Sequence, residues 1–195
     1  MVMKKDIEVE IRGFLSKDDY ERVSKILIQN GKKTAEKRRT LIDYSTFLPG
    51  GIRDRKKDIR IRETNGVPEI VVKIGAWGDD ESRKEFSFMG QEGQFETLIE
   101  IFGHLGYEKG IRAIRNTQAF DYREVEIALV EVPGHSYYFE AEKMVEEVDS
   151  VELAKKEILE VIAELGLSKM SQEEFFSYIE TLNKEANTIF DINES

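Results

Sequence analysis

Hydrophobic and charged residues alternate with a period of two along several short segments of the chain, which is typical of half-buried strands. The pattern is clearest at residues 6–12. Two further segments, 58–64 and 68–75, are joined through Asn65-Gly66, a strong signal for a hairpin turn. More strands are predicted at 34–48, at 82–88, and within 107–142, where breaks are expected near Asn116 and at Pro133-Gly134.

Four segments show the three- and four-residue apolar spacing of amphipathic helices. The first follows Ser16, a predicted N-cap, and ends at Asn30-Gly31. The others cover about 91–105, about 150–165, and the residues from Ser171 to about 185. Capping boxes are predicted at Asp149 with Glu152 and at Ser171 with Glu174. Because runs of strands are joined by short turns, the order of elements predicts an antiparallel α+β fold.

Long charged side chains recur at alternate positions of the predicted strands, so each strand carries them on one face. They are Glu8, Glu10 and Arg12; Arg60 and Arg62; Glu69 and Lys73; Arg83 and Glu85; and Glu140 and Glu142. An antiparallel sheet with one solvated face would give the same pattern. However, like charges two residues apart repel each other and need counter-charges, which a sheet curled into a barrel would bring together. A charged interior also calls for pairing or a charged ligand, since a lone buried charge costs several kcal/mol.

A polyphosphate bound with a divalent cation would satisfy such an interior. Arginine and lysine bind phosphate oxygens, and glutamate carboxylates bind Mg²⁺ or Mn²⁺. The sequence therefore predicts a site for a polyphosphate and a metal ion on the inward face.

Length and composition limit the number of domains, the kinds of partner and the compartment that we expect. The 195 residues predict one domain over 1–186 followed by a flexible tail over 187–195. The net charge of −10 argues against nucleic acid as a partner, and the absence of cysteine excludes disulfides and thiolate chemistry. No apolar run reaches the roughly 20 residues of a membrane span, and the first residues do not resemble a signal peptide. We expect a cytoplasmic protein without a membrane partner, monomeric or homodimeric.

The segment Glu8-Val9-Glu10-Ile11-Arg12 resembles the ExExK signature of CYTH domains, the triphosphate tunnel metalloenzymes, with arginine in place of lysine. Other segments similar to the family follow in its order. They are Arg60-Ile61-Arg62 (RxR), Lys73 shortly before Gly75, Arg83-Lys84-Glu85 (RxE), residues 131–142 (a hairpin ending in ExE) and residues 177–182 (SYxELL). The resemblance spans residues 6 to about 182. It implies a closed, eight-stranded antiparallel β-barrel with helices packed outside.

Two positions depart from the family pattern. Val130 takes the place of a metal-binding aspartate, with Glu124, Glu126 and Glu131 as alternative carboxylates nearby. The family's KxRxxY segment is also altered around Arg112 and Arg115.

The resemblance assigns roles to the charged residues. Phosphate would be bound by Arg60, Arg62, Lys73, Arg83 and one or both of Arg112 and Arg115. Metal would be held by Glu8, Glu10, Glu140 and Glu142. Arg12 would contact phosphate or orient the glutamates, and Glu85 would orient a neighbouring base.

The resemblance implies metal-dependent hydrolysis of tripolyphosphate, thiamine triphosphate or a nucleoside triphosphate. Two alternatives are the class IV adenylate cyclase reaction and binding of a polyphosphate without turnover. Other features are predicted to be structural: Trp77 as a loop anchor, His104 and His135 in the fold, and the basic runs 37–39 and 53–57 as solvated residues that could also gate the tunnel mouth.

Overall fold

The strands lie largely where the sequence predicts them. A computed structural model describes residues 7–75 and 83–194, so Trp77 lies outside the described residues. The strands are β1 (Ile7–Leu15), β2 (Lys32–Asp43), β3 (Lys57–Thr64), β4 (Val67–Ile74), β5 (Lys84–Met89), β6 (Lys109–Tyr122), β7 (Val125–Val132), β8 (Ser136–Val145) and β9 (Thr188–Asp191). The helices are α1 (Lys17–Asn30), α2 (Phe95–His104), α3 (Val151–Glu164) and α4 (Gln172–Glu185).

The nine strands of the described residues form one antiparallel sheet, in which eight follow the order β1-β8-β7-β6-β2-β3-β4-β5 and β9 pairs with β6. The sheet curls until its two ends meet at a bridge between Glu8 of β1 and Arg83, just before β5. This confirms the predicted α+β fold and its eight-stranded antiparallel sheet. Closure differs from the prediction of a fully closed barrel: within the described residues, one isolated bridge joins the ends where a continuous ladder was expected.

The apolar face of the sheet is turned outward and covered by helices. Val9 and Ile11 of β1 are buried in a cluster with Leu27 of α1 and Ile158 of α3. A second cluster packs α2 against β2 and β3, with Ile61 fully buried at its centre. Because neighbouring residues of a strand point to opposite faces, this packing turns the alternate charged residues inward.

Several local predictions can be judged directly. Asn65 and Gly66 have φ of 51° and 87° and join β3 to β4, which confirms the hairpin turn. Ser16 caps α1 by accepting from the backbone N–H of Asp19, and the capping box at Ser171 is present. The capping box at Asp149 is wrong, because a 3₁₀ turn over Val148–Ser150 precedes α3.

The predicted break near Asn116 is also wrong. β6 continues through this residue because Asn116 is paired on both sides, with Arg38 and with Glu131, and its side-chain amide donates to Glu131 over 3.0 Å. The chain turns later, at Arg123 and Glu124, which adopt φ of 53° and 62°.

The C-terminal residues differ from the predicted flexible tail. β9 lies inside the segment 187–195 and pairs antiparallel with the start of β6, from Lys109↔Asp191 to Arg112↔Thr188. Phe190 is buried in the α2 cluster, and this burial supplies the apolar contact that holds so short a strand.

Candidate functional site

The inward face of the curled sheet encloses a cavity of about 540 Å³, called the tunnel below. Strand alternation brings charged residues from all eight strands of the curled sheet, β1 to β8, into it, and Arg83 enters from the bridge before β5. The predicted site residues that line the tunnel are Glu8, Glu10, Arg12, Arg60, Arg62, Lys73, Arg83, Glu85, Arg115, Glu140 and Glu142.

Arg112 does not line the tunnel, and this corrects its predicted role in phosphate binding. In β6 the inward residues are Ile111, Ala113 and Arg115, so Arg112 points to the other face. There its guanidinium carbon lies 5.2 Å from the centre of the Phe190 ring. Its Nε is buried and has no hydrogen-bond partner among the described residues.

Four glutamates meet where β1 pairs with β8. The register places Glu10 opposite Glu142 and Arg12 opposite Glu140. Arg12 donates to Glu10, and its Nε lies 3.4 Å from Glu140 Oε1. The glutamates predicted to hold metal are therefore together, with one arginine between two of them.

Lys73 on β4 neutralises part of the negative charge of the same group. Its ammonium lies 2.7 and 2.6 Å from the two carboxylate oxygens of Glu8 and 2.9 Å from Glu85. Burial alone would lower the pKa of Lys73, but Glu10 and Glu8 raise it. Lys73 is therefore a fixed cation and not a base, and Glu85 serves to hold it in place.

Because the four glutamates are crowded together, three of them have raised pKa values and one has a lowered pKa. Burial and the neighbouring Glu10 raise the pKa of Glu8 to about 7. Burial, Glu8 and Glu10 raise the pKa of Glu142 to about 8, and burial with Glu10 also raises that of Glu140. Burial opposes ionisation of Glu10 as well, but Arg12 and Lys73 outweigh it and lower the pKa to about 2. More carboxylate is gathered here than the nearby cations neutralise.

This donor set fits a divalent cation such as Mg²⁺ or Mn²⁺, since carboxylate oxygens are its preferred ligands and a cation would relieve the crowding. The site is not preassembled: within residues 7–75 and 83–194, no three carboxylate or imidazole groups are arranged to hold a metal ion. The reason is visible in the ion pairs, because Glu8 and Glu10 are turned towards Lys73 and Arg12.

Two tunnel arginines, Arg60 and Arg83, are positioned by a carboxylate that the sequence analysis did not single out. Asp58, only 2% exposed, accepts from Arg60 Nε at 2.8 Å and from Arg83 Nη1 at 3.2 Å. Burial would raise its pKa, but Arg60 and Arg55 lower it to about 2. Asp58 lies two residues before Arg60 on the same strand face, so strand alternation could have identified it.

Arg55 corrects the prediction that residues 53–57 are solvated. It is 2% exposed and donates to Asp43 at 2.9 Å. Arg53 is exposed, as predicted, but it contacts α4 through Glu173 at 2.8 Å and Glu180 at 2.9 Å.

The basic run 37–39 is divided between the two faces of β2. Lys37 and Arg39 line the tunnel, whereas Arg38 is exposed on the other face. The solvated interpretation is therefore wrong for Lys37 and Arg39. A run of three basic residues hides the period of two, which is why these residues were not assigned to the site.

Val130 lines the tunnel and is 2% exposed, so this position supplies no carboxylate. Of the three alternatives, Glu126 lines the tunnel and lies 3.9 Å from Lys37. Glu131 bonds Asn116 on the other face, and Glu124 lies in the β6–β7 turn.

One wall of the tunnel is formed by α4 and is largely apolar. Its tunnel-facing residues are Phe175, Tyr178, Ile179, Leu182 and Asn183. The guanidinium of Arg12 lies 5.0 Å from the centre of the Phe175 ring, and Tyr178 shares a 2.8 Å hydrogen bond with Ser136. His135 contacts the C-terminal end of α4 through Glu185 at 3.2 Å. The tunnel thus joins a charged interior to an apolar wall.

A model of the CYTH domain family matches residues 6–177, most of the chain. The chain belongs to the CYTH domain family. The PH1819 protein of Pyrococcus horikoshii OT3 has a similar fold (TM-score 0.69, 24% identity, covering 91% of this chain and 99% of that one). So does a proposed adenylate cyclase of Vibrio parahaemolyticus (TM-score 0.65, 17% identity, 88% and 98%).

The CYTH fold is also shared with HpAC1 of Hippeastrum, a protein with a dominant triphosphatase activity (TM-score 0.57, 15% identity, covering 89% of this chain and 95% of that one). No curated protein is significantly similar to this CYTH chain in sequence. None of its described helices is both long and apolar enough to cross a bilayer.

Proposed function

We propose that this CYTH protein is a metal-dependent hydrolase of a triphosphate bound in the tunnel. The observation that carries the proposal is the balance of charge on the inward face. Among the described residues, eight basic and seven acidic side chains line the tunnel. A naked triphosphate would leave this interior strongly negative, whereas a triphosphate with divalent cations adds little net charge and so avoids the cost of buried unpaired charge.

Basic and acidic residues of the tunnel have separate roles in this proposal. Arg60, Arg62 and Arg83 bind phosphate oxygens and hold the chain of phosphates in place, with Lys73 as a further fixed cation. Catalysis of phosphoryl transfer consists largely of such positioning and charge neutralisation.

The glutamate wall would hold the cation, through Glu8, Glu10, Glu140 and Glu142. A bound divalent cation neutralises phosphate charge and makes water more acidic. Arg12, which lies between Glu10 and Glu140, orients these two carboxylates. The triphosphatase activity of HpAC1, which shares the fold, is consistent with this assignment.

The second candidate is the adenylate cyclase reaction, favoured by the apolar wall of α4. Phe175 and Tyr178 offer aromatic surface beside the charged interior, where the base of ATP would pack. The two reactions differ in their products. Incubation with Mg²⁺ or Mn²⁺ and either tripolyphosphate, thiamine triphosphate or ATP should yield orthophosphate for a hydrolase. Cyclic AMP with pyrophosphate would identify a cyclase, and tight binding without product would contradict both.

The role of the glutamates is tested by replacing Glu8 and Glu10 with glutamine. We expect loss of metal-dependent turnover with the fold retained, because both carboxylates lie among the predicted metal ligands. The control replaces two exposed glutamates, Glu21 and Glu96, in the same way and should keep full activity. Full turnover in the Glu8→Gln, Glu10→Gln variant would refute the metal assignment.

A further inference from the structure

A chain of hydrogen-bonded side chains runs from the surface of the protein to the tunnel wall. Glu185 Oε2 lies 3.2 Å from His135 Nε2, and His135 Nδ1 lies 2.7 Å from Ser136 Oγ. Ser136 Oγ lies in turn 2.8 Å from the hydroxyl of Tyr178, which lines the tunnel. The hydrolase proposed above uses none of these four residues.

Exposure decreases along this chain from the surface inward. The side chain of Glu185 is 61% exposed and that of His135 is 23% exposed. Ser136 and Tyr178 are half-buried, and of the four residues Tyr178 alone lines the tunnel. The chain therefore connects a histidine that solvent can reach with a hydroxyl inside the tunnel.

The phenol of Tyr178 is held in place and keeps its proton. Its ring centre lies 5.1 Å from that of Phe14 and 5.9 Å from that of Tyr138. Burial raises the pKa of Tyr178, and the hydrogen bond to Ser136 and the charge of Arg115 offset only part of this rise. Burial raises the pKa of Tyr138 as well. Histidines change charge between about pH 5 and pH 8, well below the pH at which such phenols ionise.

The carboxylate of Glu185 selects the tautomer of the neutral His135 ring. A carboxylate only accepts hydrogen bonds, so Nε2 of the ring must carry the proton. Nδ1 then has a lone pair and accepts from the hydroxyl of Ser136, whose oxygen accepts in turn from Tyr178. With His135 neutral, the proton of Tyr178 is therefore directed away from the tunnel.

A second proton on His135 reverses the bonds between the ring and the tunnel. Nδ1 becomes a donor to Ser136, because both ring nitrogens of a charged imidazole carry protons. Among the described residues, the hydroxyl of Ser136 contacts only His135 and Tyr178, so it then donates to the oxygen of Tyr178. The proton of Tyr178 is released from Ser136 and turns to the tunnel.

We propose that Tyr178 is a ligand-binding residue of the tunnel whose hydroxyl donates to an anionic ligand when His135 carries its second proton. An anion is repelled by the lone pair that Tyr178 presents beside a neutral His135, and it is bound by the proton that Tyr178 presents beside a charged one. Charge also reaches this chain from Glu185 of α4 and from Arg115 of β6, and both groups are the same in the two states. This role of Tyr178 rests on the proposed triphosphate ligand of the tunnel but requires no turnover.

The tautomer of His135 provides the first test. The chain contains two histidines, so the ring signals of His135 in a long-range proton–nitrogen NMR spectrum are assigned by comparison with His135→Gln. We expect the neutral ring to carry its proton on Nε2. A neutral ring with its proton on Nδ1 would overturn the proposal, because Ser136 would then not donate to it.

The pH dependence of tripolyphosphate binding provides the second test. Titration calorimetry in EDTA compares the wild type with His135→Gln, in which a neutral amide replaces the ring. Ionisation of the glutamates and of the phosphate is common to both proteins and cancels in the ratio of their affinities. We expect the wild type to bind roughly tenfold more tightly at about pH 5.5 and equally well at about pH 8.5, since a hydrogen bond to a charged group contributes about this factor.

Tyr178→Phe separates the hydrogen bond from a simple attraction between a charged His135 and the anion, because it keeps the histidine and removes the hydroxyl. We expect it to lose the same tenfold at about pH 5.5. The double variant His135→Gln, Tyr178→Phe should lose no more than either single variant, because the two residues act through one bond. His104→Gln, at the exposed C-terminal end of α2, is the matched control and should bind as the wild type does at both pH values.

Two binding results would contradict this role of Tyr178. A ratio of wild-type to His135→Gln affinity that is the same at both pH values would remove the link to His135. A full pH effect in Tyr178→Phe would assign the effect to the charge of the imidazole alone. Because binding is measured without metal, failure of hydrolysis with Mn²⁺ would count against the proposed hydrolase and not against the role of Tyr178.

Discussion

Lowering the pH from 8 to 6 should weaken binding of a divalent cation to the glutamate wall by about 500-fold. A carboxylate must lose its proton to bind a cation. With pKa values of about 7 for Glu8 and about 8 for Glu142, roughly 9% and 1% of these groups are ionised at pH 6. At pH 8 the fractions are about 91% and about 50%, and the ratio of the two products gives the expected loss.

Titration calorimetry with Mn²⁺ measures this effect in a second, independent way. At pH 7 the two glutamates together carry about 1.4 protons in the metal-free protein, which binding should release. Proton release makes the apparent enthalpy depend on the ionisation enthalpy of the buffer, so titrations in Pipes and in Tris give the number of protons. A pH-independent affinity with no proton release would refute the idea that crowded, protonated glutamates form the cation site.

The same groups should give the stability of the metal-free protein the opposite pH dependence. Both pKa values are raised above the ordinary glutamate pKa of 4.5. The unfolded chain therefore binds fewer protons than the folded protein between about pH 4.5 and pH 8. The contribution of these glutamates is thus fully present below about pH 4.5 and is lost as the pH rises through about 7 and 8.

Further predictions concern the scaffold around the tunnel. Asp58→Asn should raise the KM for the triphosphate at least tenfold in steady-state assays, because the carboxylate that positions two tunnel arginines loses its charge; Asp54→Asn, at an exposed position nearby, should have no effect. Gly13→Ala should lower the free energy of unfolding in urea by about 3 kcal/mol, since its Cβ would lie 2.1 Å from the carbonyl oxygen of Ser168. Ser171→Ala removes the cap of α4 and should cost about 1 kcal/mol in the same assay. An unchanged unfolding midpoint in either of the last two variants would contradict the packing or the capping described above.

The inward face could be predicted where apolar and charged residues alternate cleanly. In β3, Ile59 and Ile61 identify the outer face, so Arg60 and Arg62 must point inward, and the structure places both in the tunnel. In β6 both faces carry apolar residues: Ile111 and Ala113 face the tunnel, while Ile114 is 46% exposed on the other side. With no contrast between the faces, the sequence could not decide which arginine of this strand points inward.

Pairing between distant segments is the other feature that local patterns could not supply. Arg55 lies in a basic run that looks solvated, yet its burial depends on Asp43 of β2 and Asp58 of β3. The closure of the sheet by the bridge from Glu8 to Arg83 likewise depends on how far eight strands curl, which no single strand specifies. The inward and outward faces of a strand could be predicted from its own residues, whereas its contacts with distant segments could not.

The pairing of β1 with β8 has a consequence for synthesis of the protein on the ribosome. Its register joins Ile7 to Val145, so β1 cannot pair with β8 until synthesis has reached Val145. At about 5–20 residues per second, this leaves β1 without its partner for roughly 7–28 s. During that time Val9 and Ile11, which are 0% and 2% exposed in the finished fold, have no partner strand to cover them. Nascent chains of this protein should therefore depend on a chaperone that shields β1, and should become resistant to protease only after β8 has emerged.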